Sequence, residues 1–136
     1  MSKLLVSRYG SEILKLKVDV LLPIPVHKKR LRQRGYNQSE LITKEVAKEL
    51  NLTYSENVLV RNKNTKAQKE LSPEQRLANL SAAFACSEEA KNYSKVLLVD
   101  DIYTTGSTIE ACTRLLKEKG VREVYYVSLA IGRTLV

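Results

Sequence analysis

The sequence has no tryptophan, one phenylalanine, one histidine, two cysteines, three prolines and five glycines in 136 residues. Each scarcity excludes something. Cys86, Cys112 and His27 are too few to build a tetrahedral zinc site from nitrogen and sulfur ligands. The two cysteines have no C-x-x-C spacing and do not form a disulfide framework. Cys112 falls on the apolar stripe of a predicted helix, which makes it a buried thiol rather than a ligand. No apolar run approaches the ~20 residues of a membrane span, and the N-terminus lacks the apolar core of a signal peptide, so a cytoplasmic location is expected. Internal repeats and low-complexity stretches are also missing. What remains is 43% hydrophobic and 28% charged, the composition of a folded globular protein. The length fits one domain over residues 1–136, with its core read from about residue 17.

Charge is abundant and uneven. The net charge is +8. Lys28, Lys29, Arg30, Arg32 and Arg34 lie between Asp19 and Glu40 with no acid among them, and Arg61, Lys63, Lys66 and Lys69 lie between Glu56 and Glu70 in the same way. Such runs concentrate polyanions such as pyrophosphate, nucleotides or nucleic acid. Aromatics that could stack on bases are sparse there, with Tyr36 the one candidate in the first run. His27 reads as a solvated loop residue rather than an acid–base catalyst.

Strand and helix patterns alternate along the chain. Lys17 to Val26 predicts a buried strand. Pro23 and Pro25 lack the N–H that a ladder needs, so its later part lies at a sheet edge or in a loop. Asn37 to Leu50 predicts a helix capped by Asn37 and Glu40, with Ile42, Val46, Ala47 and Leu50 on its apolar face. Val58 to Arg61 predicts a short strand, Asn62 to Leu71 a polar stretch, and Ser72, Pro73 and Gln75 a helix start. An apolar piece follows around Phe84. Lys95 to Val99 predicts a strand covered on both faces. Ser107 and Glu110 form an S-x-x-E box opening a helix that Gly120 ends, and Val124 to Ile131 predicts the last strand. This order implies an α/β fold, a mostly parallel sheet flanked by helices, with ligands beyond the carboxyl ends of its strands.

The most informative stretch runs from Val96 to Thr108. A buried strand delivers Asp100 and Asp101 to its end, and Thr104, Thr105, Gly106, Ser107 and Thr108 lead into a helix. Helix-start amides and hydroxyls attract a phosphate, and Gly106 permits close backbone approach. Carboxylates accept hydrogen bonds from vicinal ribose hydroxyls and can hold Mg²⁺ directly or through water. Two adjacent carboxylates repel, which argues that a cation or donors accompany them.

Val96 to Thr108 resembles the phosphoribosyl pyrophosphate (PRPP) signature of type I phosphoribosyltransferases, with Tyr103 where other branches carry an aliphatic residue. The resemblance implies that Asp100 and Asp101 contact the ribose hydroxyls, as the catalytic acidic pair, and that residues Thr104 to Thr108 wrap the 5′-phosphate. A second resemblance narrows the branch. Pro23-Ile24-Pro25, Arg30, Arg34-Gly35-Tyr36-Asn37-Gln38, Gln68, Arg76, Asn79 and Phe84 follow the order found in the ComF family, tied in its best-known members to DNA uptake in natural transformation. ComF proteins usually begin with a cysteine-rich zinc-binding segment, which these 136 residues do not contain.

The resemblance also implies that Arg34, Gly35, Tyr36 and Asn37 hold pyrophosphate. It further implies that residues 62–75 form a mobile loop from which Lys66, Lys69 or Arg76 approaches the ligand, and that acceptor specificity lies around Leu129 to Arg133. The implied activity is transfer of a phosphoribosyl group from PRPP to an unknown acceptor, with Mg²⁺ as cofactor and release of pyrophosphate. Ribose 5-phosphate is an alternative ligand, and single-stranded DNA and a competence helicase are expected partners. Two other functions share these residues: a non-catalytic PRPP-binding regulator and a competence factor associated with single-stranded DNA.

Overall fold

The computed structural model describes residues 2–25, 38–61, 72, 74, 84–102 and 107–130, with side chains at all of these except 2–5, 101, 102, 107, 129 and 130. In chain order the elements are α1 (Ser2–Leu16), β1 (Val20–Pro23), α2 (Gln38–Leu50), β2 (Leu59–Arg61), β3 (Phe84–Cys86), a 3-10 turn (Glu88–Asn92), β4 (Lys95–Ile102), α3 (Ser107–Glu118) and β5 (Glu123–Ala130).

Three strands form a parallel sheet in the order β1-β4-β5, with Val20 opposite Val96 on one side of β4 and Val96 opposite Val124 on the other. Beyond β1 the sheet extends by one parallel bridge, Leu21 to Tyr54, held by Leu21 N–H to the Thr53 carbonyl (2.9 Å) and Ser55 N–H to the Leu21 carbonyl (3.1 Å). Ile24 N–H donates instead to Val99 on β4. By alternation Pro23 turns its nitrogen away from β4, where the neighbouring chain makes its last bond at Ser55, so no ladder bond is lost to the proline. The run read as a strand from Lys17 to Val26 is thus a strand over Val20–Pro23.

Both faces of the sheet are covered. Val20, Leu22, Val96 and Leu98 pack under Ala111, Cys112 and Leu116 of α3 and against Leu59 and Phe84 of the β2–β3 pair. Leu21, Leu97 and Val99 point the other way, against Ile42, Val46 and Ala47 of α2 and Ile13 of α1. Period-two alternation in β1 and β4 feeds two cores at once, which is why these strands read as continuous apolar runs. The exposed face of α2 carries Lys44, Glu45, Lys48 and Glu49, as its periodicity predicts.

Some elements differ from the sequence reading. α1 lies ahead of residue 17, yet Ile13 is buried and Val6, Tyr9 and Leu16 pack beside it. Gly10 is buried where α1 meets α2: a Cβ there would stand 3.3 Å from Val6 of the same helix and 3.5 Å, an ordinary contact, from Leu50 of α2. The piece around Phe84 is a strand, antiparallel to β2 with Arg61 opposite Phe84. In the predicted helix at Ser72, Glu74 is helical, while Pro73 and Gln75 lie outside the described residues. Gly120 ends α3 as expected. It takes φ +102° while its N–H donates to Lys117 and Val121 N–H donates to Leu116, the paired bonds of a Schellman ending. Among the described residues no helix is long and apolar enough to cross a membrane.

Candidate active site at the carboxyl edge of the sheet

β4 carries its buried run Val96 to Val99 straight to Asp100. β1 stops sooner, since Pro23 pairs with Val99, so Asp100 stands beyond the last residue of the neighbouring strand. On its other side Asp100 is in register with Ser128 of β5. α3 begins at Ser107, close after the strand ends at Ile102, so the strand delivers a carboxylate and a helix N-terminus to one edge. The first turn of a helix leaves amide N–H groups without intrahelical partners, the basis of an anion site.

The Asp100 side chain accepts a hydrogen bond from Ser39, whose hydroxyl lies 3.0 Å from Oδ1. Ser39 sits in the first turn of α2 and is buried, and the Thr43 hydroxyl donates to its carbonyl at 2.6 Å. Cys112 lies beneath. Burial, and secondarily the negative charge of Asp100, pushes its thiol up to about 12, while Arg61 acts in the opposite sense. Arg61 at the end of β2 places its guanidinium 5.0 Å from the centre of the Phe84 ring. Arg61 and Asp100 thus both lie within electrostatic reach of Cys112.

Of the predicted site residues, Asp100 and Thr108 are described with their side chains, and Asp101 and Ser107 by backbone alone. Asp101 continues β4. Thr104, Thr105, Gly106, Arg34, Gly35, Tyr36, Asn37, Lys66, Lys69, Arg76 and His27 lie outside the described residues. Ser107 opens α3 and its side chain lies outside the described residues, as does any cap it makes, while Glu110 pairs with Arg114 one turn along the helix at 3.7 Å. Glu40 hydrogen bonds with Glu56, and its carboxyl is pushed up first by burial and then by that bond; Asn37, its expected capping partner, lies outside the described residues. Lys44 closes the group at 3.4 Å from Glu56. Ser39 and Arg61 had no role in the sequence reading of the site. A serine in a helix start gives no signal of what it faces, and Arg61 read only as part of a charge run.

The family profile described as the phosphoribosyl transferase domain matches residues 37–134. Competence protein F of Haemophilus influenzae is 37% identical over 82% of this chain and 50% of its own length. Competence protein ComFC of Bacillus subtilis is 35% identical over 74% of this chain and 39% of its own. The chain thus spans half or less of the length of these two relatives. A purine phosphoribosyltransferase from Pyrococcus horikoshii superposes with a TM-score of 0.60 at 16% identity, covering 96% of this chain and 73% of that one, a likeness of fold. A parallel sheet covered on both faces, an acidic strand end and these matches agree: the chain belongs to the phosphoribosyl transferase domain family, in its ComF branch.

Proposed function

We propose that this protein binds PRPP with Mg²⁺ at the carboxyl edge of β4 and transfers the phosphoribosyl group to a nitrogen nucleophile, as part of the handling of incoming DNA. The observation that carries the reading is Asp100, set at the end of a buried central strand one short connection ahead of a helix N-terminus. A ribose phosphate needs that pair: acceptors for its hydroxyls and amide donors for its phosphate. The names of the relatives support the place in DNA uptake.

In the proposed reaction the bond from ribose C1 to the pyrophosphate oxygen breaks and a bond from C1 to nitrogen forms. The nitrogen's proton passes to solvent, and pyrophosphate leaves with the bonding pair. No protein nucleophile is required. Asp100 accepts from a ribose hydroxyl and, with its negative charge, favours positive charge developing on the ring. Asp101, next along the strand, is the second carboxylate of the pair. Thr104 to Thr108 receive the 5′-phosphate, Arg34 to Asn37 the pyrophosphate, and Lys66, Lys69 or Arg76 its developing charge. A carboxylate at a strand end is the hard oxygen donor that Mg²⁺ takes, and such ions are commonly held by one or two carboxylates together with substrate phosphates. Asp100 and Asp101 would hold Mg²⁺ directly or through water, and the ion would supply positive charge to offset that of the departing pyrophosphate.

The test is calorimetric titration of PRPP with Mg²⁺, followed by a pyrophosphate-release screen over bases and amines. Binding together with acceptor-dependent release supports the reading. Binding without release makes the protein a PRPP-binding regulator. No PRPP binding, with salt-dependent binding of single-stranded DNA, replaces the reading with a nucleic-acid role for the basic runs.

A further inference from the structure

Three polar side chains are buried among the described residues: Ser39, Thr43 and Ser128, at 2%, 0% and 3% exposure. Buried polar groups are costly unless they are hydrogen bonded, so their placement carries information. All three gather around one carboxylate. Ser39 donates to Asp100, Thr43 donates to the backbone carbonyl of Ser39, and Ser128 is the register partner of Asp100.

The Ser39–Asp100 bond also joins two layers. By alternation along β4, Asp100 belongs with Val96 and Leu98 on the face covered by α3. Ser39 comes from α2, which covers the opposite face. The 3.0 Å bond between them therefore passes over the top of the sheet, where β1 has already ended at Pro23. An apolar packing contact could not fix a carboxylate there. A hydroxyl can, because its single proton is directed at one oxygen. The back-bond from Thr43 to Ser39 holds the turn that aims it.

We propose that Ser39 is a positioning residue: it holds the Asp100 carboxylate in one orientation at the sheet edge and so sets affinity for the ribose-phosphate ligand without contacting that ligand. The proposal rests on the reading of the site given above. A carboxylate has about four lone-pair sites, so it can keep the Ser39 bond and still accept from a ribose hydroxyl. Partners of this outer kind orient the groups that do the binding, and their loss typically costs about 10- to 100-fold.

The experiment uses the full chain with Ser39→Ala, Asp100→Asn and the double variant. In the ligand-free protein, the titration of Asp100 is followed by carbon-13 carboxyl NMR. Loss of a donor to the ionised form should raise its midpoint in Ser39→Ala. In calorimetry, Ser39→Ala should weaken PRPP–Mg²⁺ binding by about tenfold, leave pyrophosphate–Mg²⁺ binding unchanged, and add nothing to the loss caused by Asp100→Asn. A folded Ser39→Ala protein with an unmoved Asp100 midpoint overturns the proposal, as do losses that simply add in the double variant. Should Ser39→Ala fail to fold, Ser39→Cys keeps the volume with a weaker donor, and its midpoint should also rise. Failure of the parent to bind PRPP overturns the ribose-phosphate reading instead, and the titration still decides whether Ser39 controls Asp100.

Discussion

The two ends of the central sheet each carry an aspartate, and they are built in opposite ways. At the amino end, Asp19 precedes β1 and accepts the backbone N–H of Ser94 at 2.7 Å and of Lys95 at 2.9 Å on one oxygen, while its own N–H donates to the Lys95 carbonyl at 2.7 Å. The Ser94 carbonyl accepts from Arg122 and Glu123 at the start of β5. These hydrogen bonds all run to backbone groups, and the effect is to lock the starts of three strands together. At the carboxyl end, Asp100 accepts from a side-chain hydroxyl on a helix, across a sheet whose strands stop at different heights. Backbone partners are present in any sequence of this fold. A side-chain partner must be chosen. The amino end ties its aspartate to backbone, and the carboxyl end ties its aspartate to a side chain of another element.

Four changes would break or sharpen this contrast. The largest effect is expected from the strand that joins the two ends. Leu98 is fully buried midway along β4, and Leu98→Ala should cost about 2–5 kcal/mol and damage both ends at once. Urea unfolding should show the lost stability, and PRPP titration a weakened site.

Asp100→Asn comes next and should separate the ends. Losing a hydrogen bond to a charged group costs about 1.5–3 kcal/mol, or about 10- to 150-fold in PRPP–Mg²⁺ affinity. Its melting temperature should stay near that of the parent. A large loss of stability with unchanged affinity would make Asp100 structural, like Asp19.

Asp19→Ala is the reciprocal change. The N–H groups of Lys95 and Ser94 hold its carboxyl below the usual 3.8. Solvent screening at this exposed position reduces the expected loss to about 1 kcal/mol, a melting shift of about 4 °C for a domain of this size. PRPP affinity should not move. A lowered folded-state pKa means that the contribution is complete above pH 3.8 and fades as pH falls through the folded value. The gap in melting temperature between parent and variant should therefore close in acid.

The smallest effect is a labelling difference beneath the carboxyl edge. With its thiol pushed up to about 12, buried Cys112 should resist iodoacetamide in the native protein at pH 8, while half-buried Cys86 reacts first. Mass spectrometry of the labelled peptides checks this. Prompt native labelling of Cys112 would show that the edge above it opens readily.

Much of this organisation was legible before any coordinates. The apolar run into Asp100, the period of α2, the fate of Cys112 and the ending at Gly120 follow from local rules that tertiary structure had no cause to override. α1 was equally legible, since Val6, Tyr9, Ile13 and Leu16 keep helical spacing. The strand at Phe84–Cys86 was not, because three residues carry no measurable period and depend on Leu59–Arg61 for pairing. The two expected capping boxes depend on Asn37 and on the Ser107 side chain, which lie outside the described residues. What no local rule signals is that Glu40 meets Glu56, from beyond the end of α2, while Glu110 pairs with Arg114 one turn on.

By itself, then, the sequence determined the alternation of elements, the two-faced burial of β4 and the arrival of an acid at its end, because these depend on periodicity and on neighbours a few residues away. Only the tertiary structure decided that Ser39, sixty-one positions from Asp100, would hold it. It also decided that Arg61 would lie within electrostatic reach of Cys112, and that Asp19 would be tied to the backbone of Ser94 and Lys95. Those pairings form only when separate elements are packed to within hydrogen-bonding or charge distance, and no local pattern in the chain encodes which elements will meet.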